Sequence, residues 1–533
     1  MSDKWKKYFP FKTPRKCQVE AIDFILNKID SSKYMLLNAP TGAGKSAIAI
    51  TLSKYFQNEM YKTSMMKSSY IITTQRVLQE QYKKDFPYLA NVSAKEHYQC
   101  SHRVLGLTCD IGLQIAKITN DTPEYKKYLN TCNYEIERRL FHSSEISITN
   151  TFFFMNHADS IEPRKLLIVD EAHSLEEILI DFASMHFTKY YTEETLKLRW
   201  PNVKKMKMKH FIEWAENEYK GKLEKDYSSE YGKLTSMNSE SYLTSNSGIS
   251  SMRKVDSLSR LIKNLQMVID DSKQSQDDWV ISVSATEDTV DIKPLYATKY
   301  ANNLLFKYGQ KILLMSGSIL DKSIFCRNVG ITENEASYLS LDSPFPKENR
   351  PIFYIPSGKM SKDNIKETLP NIVTVIEQLL EHHKNEKGII FTHSYEIASY
   401  IDKSIFSTRL LFHSSDDRMD ILDFHIKSKE PTVIVTPSLT EGIDLIEDLS
   451  RFQILVKCPF PYLGDIYIRT KMNKVENWYA WNTVKSIIQC SGRSIRSEKD
   501  TAVTYILDES FGFFFNKNKF MFPDWWTKAI IWD

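Results

Sequence analysis

Short, almost wholly apolar runs recur along this chain, each followed by a polar turn and then a helical pattern. That alternation limits the fold more than any other feature. The runs lie at residues 34–38, 69–73, 166–169 and 312–315, then at 388–392, 432–436, 453–456 and 502–507. A strand with no polar face must be covered on both sides, and in βαβ units the crossover helices supply the cover. The expected class is therefore α/β with parallel sheets. A Pro-containing stretch at 342–346 divides the runs into two sets of four, so two such domains are expected within the 533 residues.

Two segments break the rhythm. The first holds Cys100, Cys109 and Cys132; the second lacks the strand pattern and has helical spacing at Leu258, Leu261, Ile262, Leu265, Val268 and Ile269. Inside the second, the Ser-, Thr- and Asn-rich stretch 227–252 reads as a long exposed loop. The strand pattern resumes after each segment, so both read as insertions in the first domain. The expected division is 1–95 with 146–175 and 289–345 for that domain, 96–145 for the cysteine insertion, 176–288 for a mainly helical insertion, and 346–533 for the second domain.

Residues 39–46 read Ala-Pro-Thr-Gly-Ala-Gly-Lys-Ser, directly after an apolar strand and before a helical run. Thr41, Gly42, Ala43 and Gly44 form a loop whose backbone N–H groups converge on phosphate oxygens at a helix N-terminus. Lys45 is expected to reach the β- and γ-phosphates and Ser46 to place its hydroxyl on Mg²⁺. The first glycine of the usual pattern is Ala39. Downstream, an apolar strand ends in Asp170-Glu171-Ala172-His173. Adjacent carboxylates point different ways, so Asp170 is expected to hold the Mg²⁺ shell and Glu171 to act as general base on the attacking water. Loop and carboxylate pair together predict a nucleotide hydrolase.

These strings resemble superfamily 2 helicases of the DEAH-box type. So do Arg15 and Gln18, an adenine-reading motif in that resemblance, and Ser316-Gly317-Ser318, which couples ATP state to nucleic-acid grip. Glu441-Gly442-Ile443-Asp444 and Gln489-Cys490-Ser491-Gly492-Arg493-Ser494-Ile495-Arg496 are similar to motifs V and VI. The resemblance narrows to the XPD/DinG family through Tyr98-Gln99-Cys100, the string 132–139, Ser343-Pro344-Phe345, Pro459-Phe460-Pro461 and Phe391-Thr392-His393-Ser394-Tyr395. It extends from about residue 8 to about residue 515. It implies two RecA-like motor domains with Gly442, Asp444 and Gln489 at the nucleotide. Arg493 and Arg496 would be fingers reaching the transferred phosphoryl from the facing domain. It further implies a DNA helicase moving 5′→3′, an iron–sulfur wedge, an arch closing a pore around the strand, and a role in repair, recombination or replication.

Three cysteines within 33 residues are a cluster, and thiolates suit iron–sulfur or zinc. The family has four cysteines where this chain has three, so His97, His102 and Asp110 are candidates for a fourth ligand. A [4Fe–4S] cluster with a substituted ligand, a Cys₃His zinc site and a lost site with buried thiols all remain open. Seven unevenly spaced cysteines form no disulfide framework, and residues 1–7 have no apolar core of a secretory signal. A cytoplasmic protein is expected, in a bacterial or phage-infected cell, and no apolar run is long enough for a membrane span. The formal charge of +3, from 70 basic and 67 acidic residues, confines any nucleic-acid surface to a local patch. Candidates for a single-strand track are Thr74, Gln75, Arg76, Thr392, His393 and Ser394, with single-stranded and forked DNA as the partner of a monomeric chain.

Overall fold

The structure is a computed structural model that describes residues 4–59, 65–100, 106–119, 130–437, 445, 447–492, 495 and 500–532. The first sheet begins with β1 (Tyr34–Asn38), β2 (Ser69–Thr73), β3 (Ala90–Asn91), β4 (Ile146–Asn150) and β5 (Arg164–Asp170). The chain then leaves it for β6 (Met185–Thr188), β7 (Trp279–Val283) and β8 (Thr289–Pro294), and returns with β9 (Gly309–Ser316) and β10 (Ala336–Ser340). The strand order is β10-β1-β9-β5-β2-β4-β3, every pairing parallel.

The second sheet contains β11 (Ile352–Gly358), β12 (Gly388–Phe391), β13 (Leu410–Phe412), β14 (Val433–Thr436), β15 (Phe452–Leu455), β16 (Val503–Asp508) and β17 (Ile530–Trp532). Its order is β13-β14-β12-β15-β16-β11-β17, again all parallel. The α/β expectation with two parallel sheets is met. The apolar runs mark the four contiguous central strands of each sheet; the strands that escaped notice lie toward the edges. Central strands are covered on both faces, as the fully buried β1, β2 and β5 are, whereas β10 and β11 have partly exposed positions.

The second insertion differs from its expected form in two ways. It carries a three-stranded antiparallel sheet, β6-β8-β7, so 289–294 pairs with the insertion rather than with the first sheet. The stretch 227–252 is not a long loop. Helix Gly221–Ser236, the turn Glu240–Leu243 and helix Asn246–Gln274 cover it, the last capped by Ser245 accepting from the Gly248 N–H. Most of its polar residues are exposed or half-buried, Glu230 apart, while Leu234, Leu243 and Met252, with Val255 just beyond, are buried. Those four share one apolar cluster with Ile111, from helix Cys109–Ile118 of the cysteine insertion. The two insertions therefore hold each other. Among the described residues, no helix is long and apolar enough to cross a membrane.

Candidate active site between the two sheets

Parallel β-sheets place their loops of opposite function on opposite edges, and ligands gather at the carboxyl edge. β1 ends at Asn38 in register with Ser316 of β9, and Asp170 of β5 is level with Met315. The phosphate loop, the carboxylate pair and the Ser316 turn thus leave one edge together. Ala39 continues the extended chain, its N–H donating to the Ser316 carbonyl at 2.8 Å. Its φ is not positive, so the usual first glycine is dispensable there. Gly42 and Gly44, at φ of 79° and 77°, need the freedom of glycine. A Cβ at Gly42 would also strike the Phe345 ring.

Helix Lys45–Asn58 starts at Lys45, with Ser46 in its first turn, and its N-terminus faces the loop. The Lys45 ammonium lies 2.9 Å from Glu171 Oε1. Burial alone would raise the Glu171 carboxyl, but Lys45 and the His173 side chain outweigh it and hold the group well below the usual range. Glu171 is therefore ionised, as a general base must be. It also sits in the left-handed region at φ 55°, a strained position for a residue with a side chain. Asp170 is almost fully buried; burial pushes its carboxyl up to about 6, with Lys45 opposing. The Tyr82 hydroxyl donates to Asp170 Oδ2 at 2.9 Å and orients it. No motif announces Tyr82; it is one helical position among many until the fold delivers it.

From Glu171 a chain of contacts crosses to the second lobe. Ser316 Oγ donates to Glu171 Oε2 at 3.3 Å and lies 2.6 Å from His173 Nδ1. The Ser318 N–H donates to Ser316 Oγ at 3.2 Å, and Gln489 Nε2 from the second lobe donates to Ser318 Oγ at 3.5 Å. Helix Trp478–Ser491 carries Gln489 and is docked by Trp481 Nε1 donating to the Ile319 carbonyl at 3.0 Å. At its end, a Cβ on Gly492 would come within 3.9 Å of Thr41 Oγ1. Arg493 and Arg496 come next in the chain but, with Gly442 and Asp444, lie outside the described residues.

The other candidates make the following contacts within the chain. Arg15 Nη1 donates to the Gly42 carbonyl, and Gln18 caps the Arg15 N–H and reaches the Gly44 carbonyl. Both side chains brace the phosphate loop. Gln75 lines the cleft between the lobes, Thr74 is buried, and Arg76 is exposed and paired with Glu80 at 2.8 Å. Thr392 donates to the Ser394 carbonyl, and Ser394 caps the helix Tyr395–Ser404. His393 has φ 52° and a buried Nε2 without a hydrogen-bond partner among the described residues; burial pushes its imidazole down to about 4. These three residues shape their turn rather than reach outward.

The three insertion cysteines give no complete ligand set among the described residues. Cys109 Sγ and Cys132 Sγ are both fully buried and 3.7 Å apart. The hydrogen bond from Cys132, and then burial, push the Cys109 thiol far above its ordinary range. His97 turns to Arg76, and His102 is outside the described residues. Asp110 has a buried Oδ1 with no partner among the described residues, yet no three His, Cys, Asp or Glu side chains among them group to hold a metal ion. A four-iron cluster needs a ligand at each of its separated iron corners. Two touching thiols do not fit it. Protein purified without oxygen is expected to carry no stoichiometric iron, and iron chelation should leave ATP turnover unchanged; four irons per chain by metal analysis would refute this.

Comparison with known proteins agrees with this geometry. The Helicase C-terminal domain family matches residues 376–529, and the family described as Type III restriction enzyme, res subunit, matches residues 11–199. The ATP-dependent DNA helicase DinG of Photobacterium profundum is 26% identical over 261 residues, covering 45% of this chain and 36% of that protein. A probable ATP-dependent helicase of Methanocaldococcus jannaschii is 21% identical over 251 residues, 41% of this chain and 37% of that protein. The matched segments thus span little more than a third of those relatives. A solved XPD helicase aligns over 98% of this chain and 100% of its own, with a TM-score of 0.66 at 16% identity. An Xpd4 structure from S. tokodaii aligns over 97% and 100%, with a TM-score of 0.58 at 14% identity. With paired parallel sheets, a phosphate loop facing its carboxylates and helicase-type matches in both halves, the chain is similar to superfamily 2 helicases of the XPD/DinG type.

Proposed function

We propose that this chain is an ATP-driven DNA helicase that moves 5′→3′ along a single strand and opens forked duplex. It acts as a monomer in the cytoplasm of a bacterial or phage-infected cell, in repair, recombination or replication. The observation that carries this is the contact path from Lys45 through Glu171, Ser316 and Ser318 to Gln489, which links the phosphate loop to the opposite lobe.

Lys45 is held by Glu171. An arriving triphosphate competes for that ammonium, and Glu171 is released toward the attacking water. Asp170 and Ser46 would hold Mg²⁺, which would supply charge neutralisation at the phosphates. The Ser316 hydroxyl touches both Glu171 and the Ser318 turn, so a shift of the carboxylate changes what Gln489 binds across the seam. Closing and opening of the lobes with each turnover moves the strand. As the resemblance implies, Arg493 and Arg496 would supply positive charge to the transferred phosphoryl. The apolar cluster joining Ile111 to Leu234 and Met252 supports a closed passage, because it ties the two insertions of the first lobe to each other. No iron–sulfur step is part of this reading.

The test is a pair of forked duplexes with a single 5′ or 3′ loading strand, with ATP turnover followed alongside displacement. Single-stranded DNA should stimulate turnover, and displacement should need the 5′ strand. Stimulated turnover with no displacement would assign a translocase that leaves duplex intact. Stimulation by RNA alone would overturn the DNA assignment.

A further inference from the structure

The lining of the cleft between the lobes is of two chemical kinds. Lys45 and Thr41 are polar and belong to the phosphate loop and the helix after it. Phe345, Ile488, Ile495 and Trp525 are apolar or aromatic, with Arg350 the cation among them. A triphosphate belongs against the first set. The second suits a flat, weakly polar group with hydrogen-bond acceptors on its rim.

Trp525 is prepared for such a group. Its Nε1 is buried and has no hydrogen-bond partner among the described residues. A buried indole N–H costs free energy unless an acceptor meets it. The Arg350 guanidinium lies 5.2 Å from the centre of the Trp525 ring, and its Nη1 donates to the Trp525 carbonyl at 2.7 Å. The neighbouring Trp526 is fully buried, with Nε1 donating to Ser491 Oγ at 2.7 Å, at the end of the helix that carries Gln489. This short C-terminal helix, Asp524–Thr527, is thus fastened to the strand linker on one side and to the helix bearing Gln489 on the other. Phe345 lies over Gly42 and continues the wall down to the phosphate loop. Arg15 and Gln18 are occupied with the backbone of that loop and do not line the cleft.

We infer that Trp525, backed by Arg350, is the wall on which the nucleobase of the bound nucleotide rests, its indole N–H donating to an acceptor on the base. Linker and C-terminal helix then sense the nucleoside while the loop holds the phosphates. The inference rests on the nucleotide-hydrolase reading of the cleft.

Titration calorimetry on the full chain, with ADP and with inorganic pyrophosphate, separates the possibilities. Trp525→Phe keeps a ring and removes the donor. It should weaken ADP about tenfold, the weight of one buried hydrogen bond, and leave pyrophosphate affinity as it was. The loss should appear in KM for ATP rather than in kcat. Arg350→Lys, which keeps the charge and loses the planar stack, should shift ADP in the same direction by a smaller factor. ADP affinity unchanged in Trp525→Phe, or ADP and pyrophosphate weakened together, would overturn the inference. Native chain that binds neither ligand would instead remove the nucleotide-site reading beneath it.

Discussion

Glu171→Gln is expected to slow ATP turnover by about 10²–10⁴-fold, the range for losing a positioned general base. The substitution keeps size and hydrogen-bonding capacity and removes only the charge. That charge has two partners: Lys45 at 2.9 Å and the His173 ring at 3.2 Å. Without it the Lys45 ammonium is no longer shared with a carboxylate, so ATP should bind at least as tightly as to the native chain. The combination distinguishes this residue from a structural one, because a disturbed site would lose binding and turnover together. Single-turnover hydrolysis and nucleotide titration check it. Turnover within tenfold of native would show that Glu171 does not activate the water.

The second large effect is on stability. Glu176 follows the carboxylate pair by one short turn, and Lys471 comes from helix Ile466–Lys474 of the second lobe. Their charged atoms are 2.6 Å apart, with side chains 9% and 2% exposed. Trp478 Nε1 donates to the other Glu176 oxygen at 3.0 Å, and Lys471 Nζ donates to the Tyr467 hydroxyl at 3.0 Å. Removing one member strands the other charge in the interior. Lys471→Met or Glu176→Leu alone should therefore cost about 3–5 kcal/mol. The double substitution Glu176→Leu with Lys471→Met should recover most of that, since no buried charge remains unpaired. Thermal unfolding of the two single variants and the double variant measures the coupling. Single variants within about 1 kcal/mol of native, the range of exposed pairs, would mean that water reaches this seam.

The pair also explains a geometric requirement. Glu176 grips the first residue of the helix whose far end bears Gln489 and Gly492. Position at one end of a rigid helix sets position at the other. The segment just after Glu171 therefore helps aim the second lobe at the phosphate loop.

How much of this was legible before folding varies with how local the physics is. The phosphate loop and the Asp170-Glu171 pair were readable because their chemistry needs a few contiguous residues on one strand-to-helix turn. Arg15 and Gln18 were also recognisable, but their side chains turn to the loop's backbone, a role that contiguity cannot reveal. The Ser- and Asn-rich stretch 227–252 misled because polar residues on the solvent face of a helix look like loop composition. Only the burial of Leu234, Leu243 and Met252 against Ile111 shows the helical face. Cysteine spacing leaves an iron–sulfur cluster, a zinc site and buried thiols all open, because spacing cannot say that two of the thiols pack against each other.

By itself the sequence determined two parallel α/β lobes and the phosphate-loop and carboxylate segments, because burial on both faces and a strand-to-helix turn of this kind each leave a contiguous mark. The tertiary structure alone decided the edge strands, the joining of the insertions, the Glu176–Lys471–Trp478 seam and the Trp525–Arg350 wall. Trp478 and Glu176 are 302 residues apart, and no periodicity pairs positions at such separation. Only the packed chain brings them within reach.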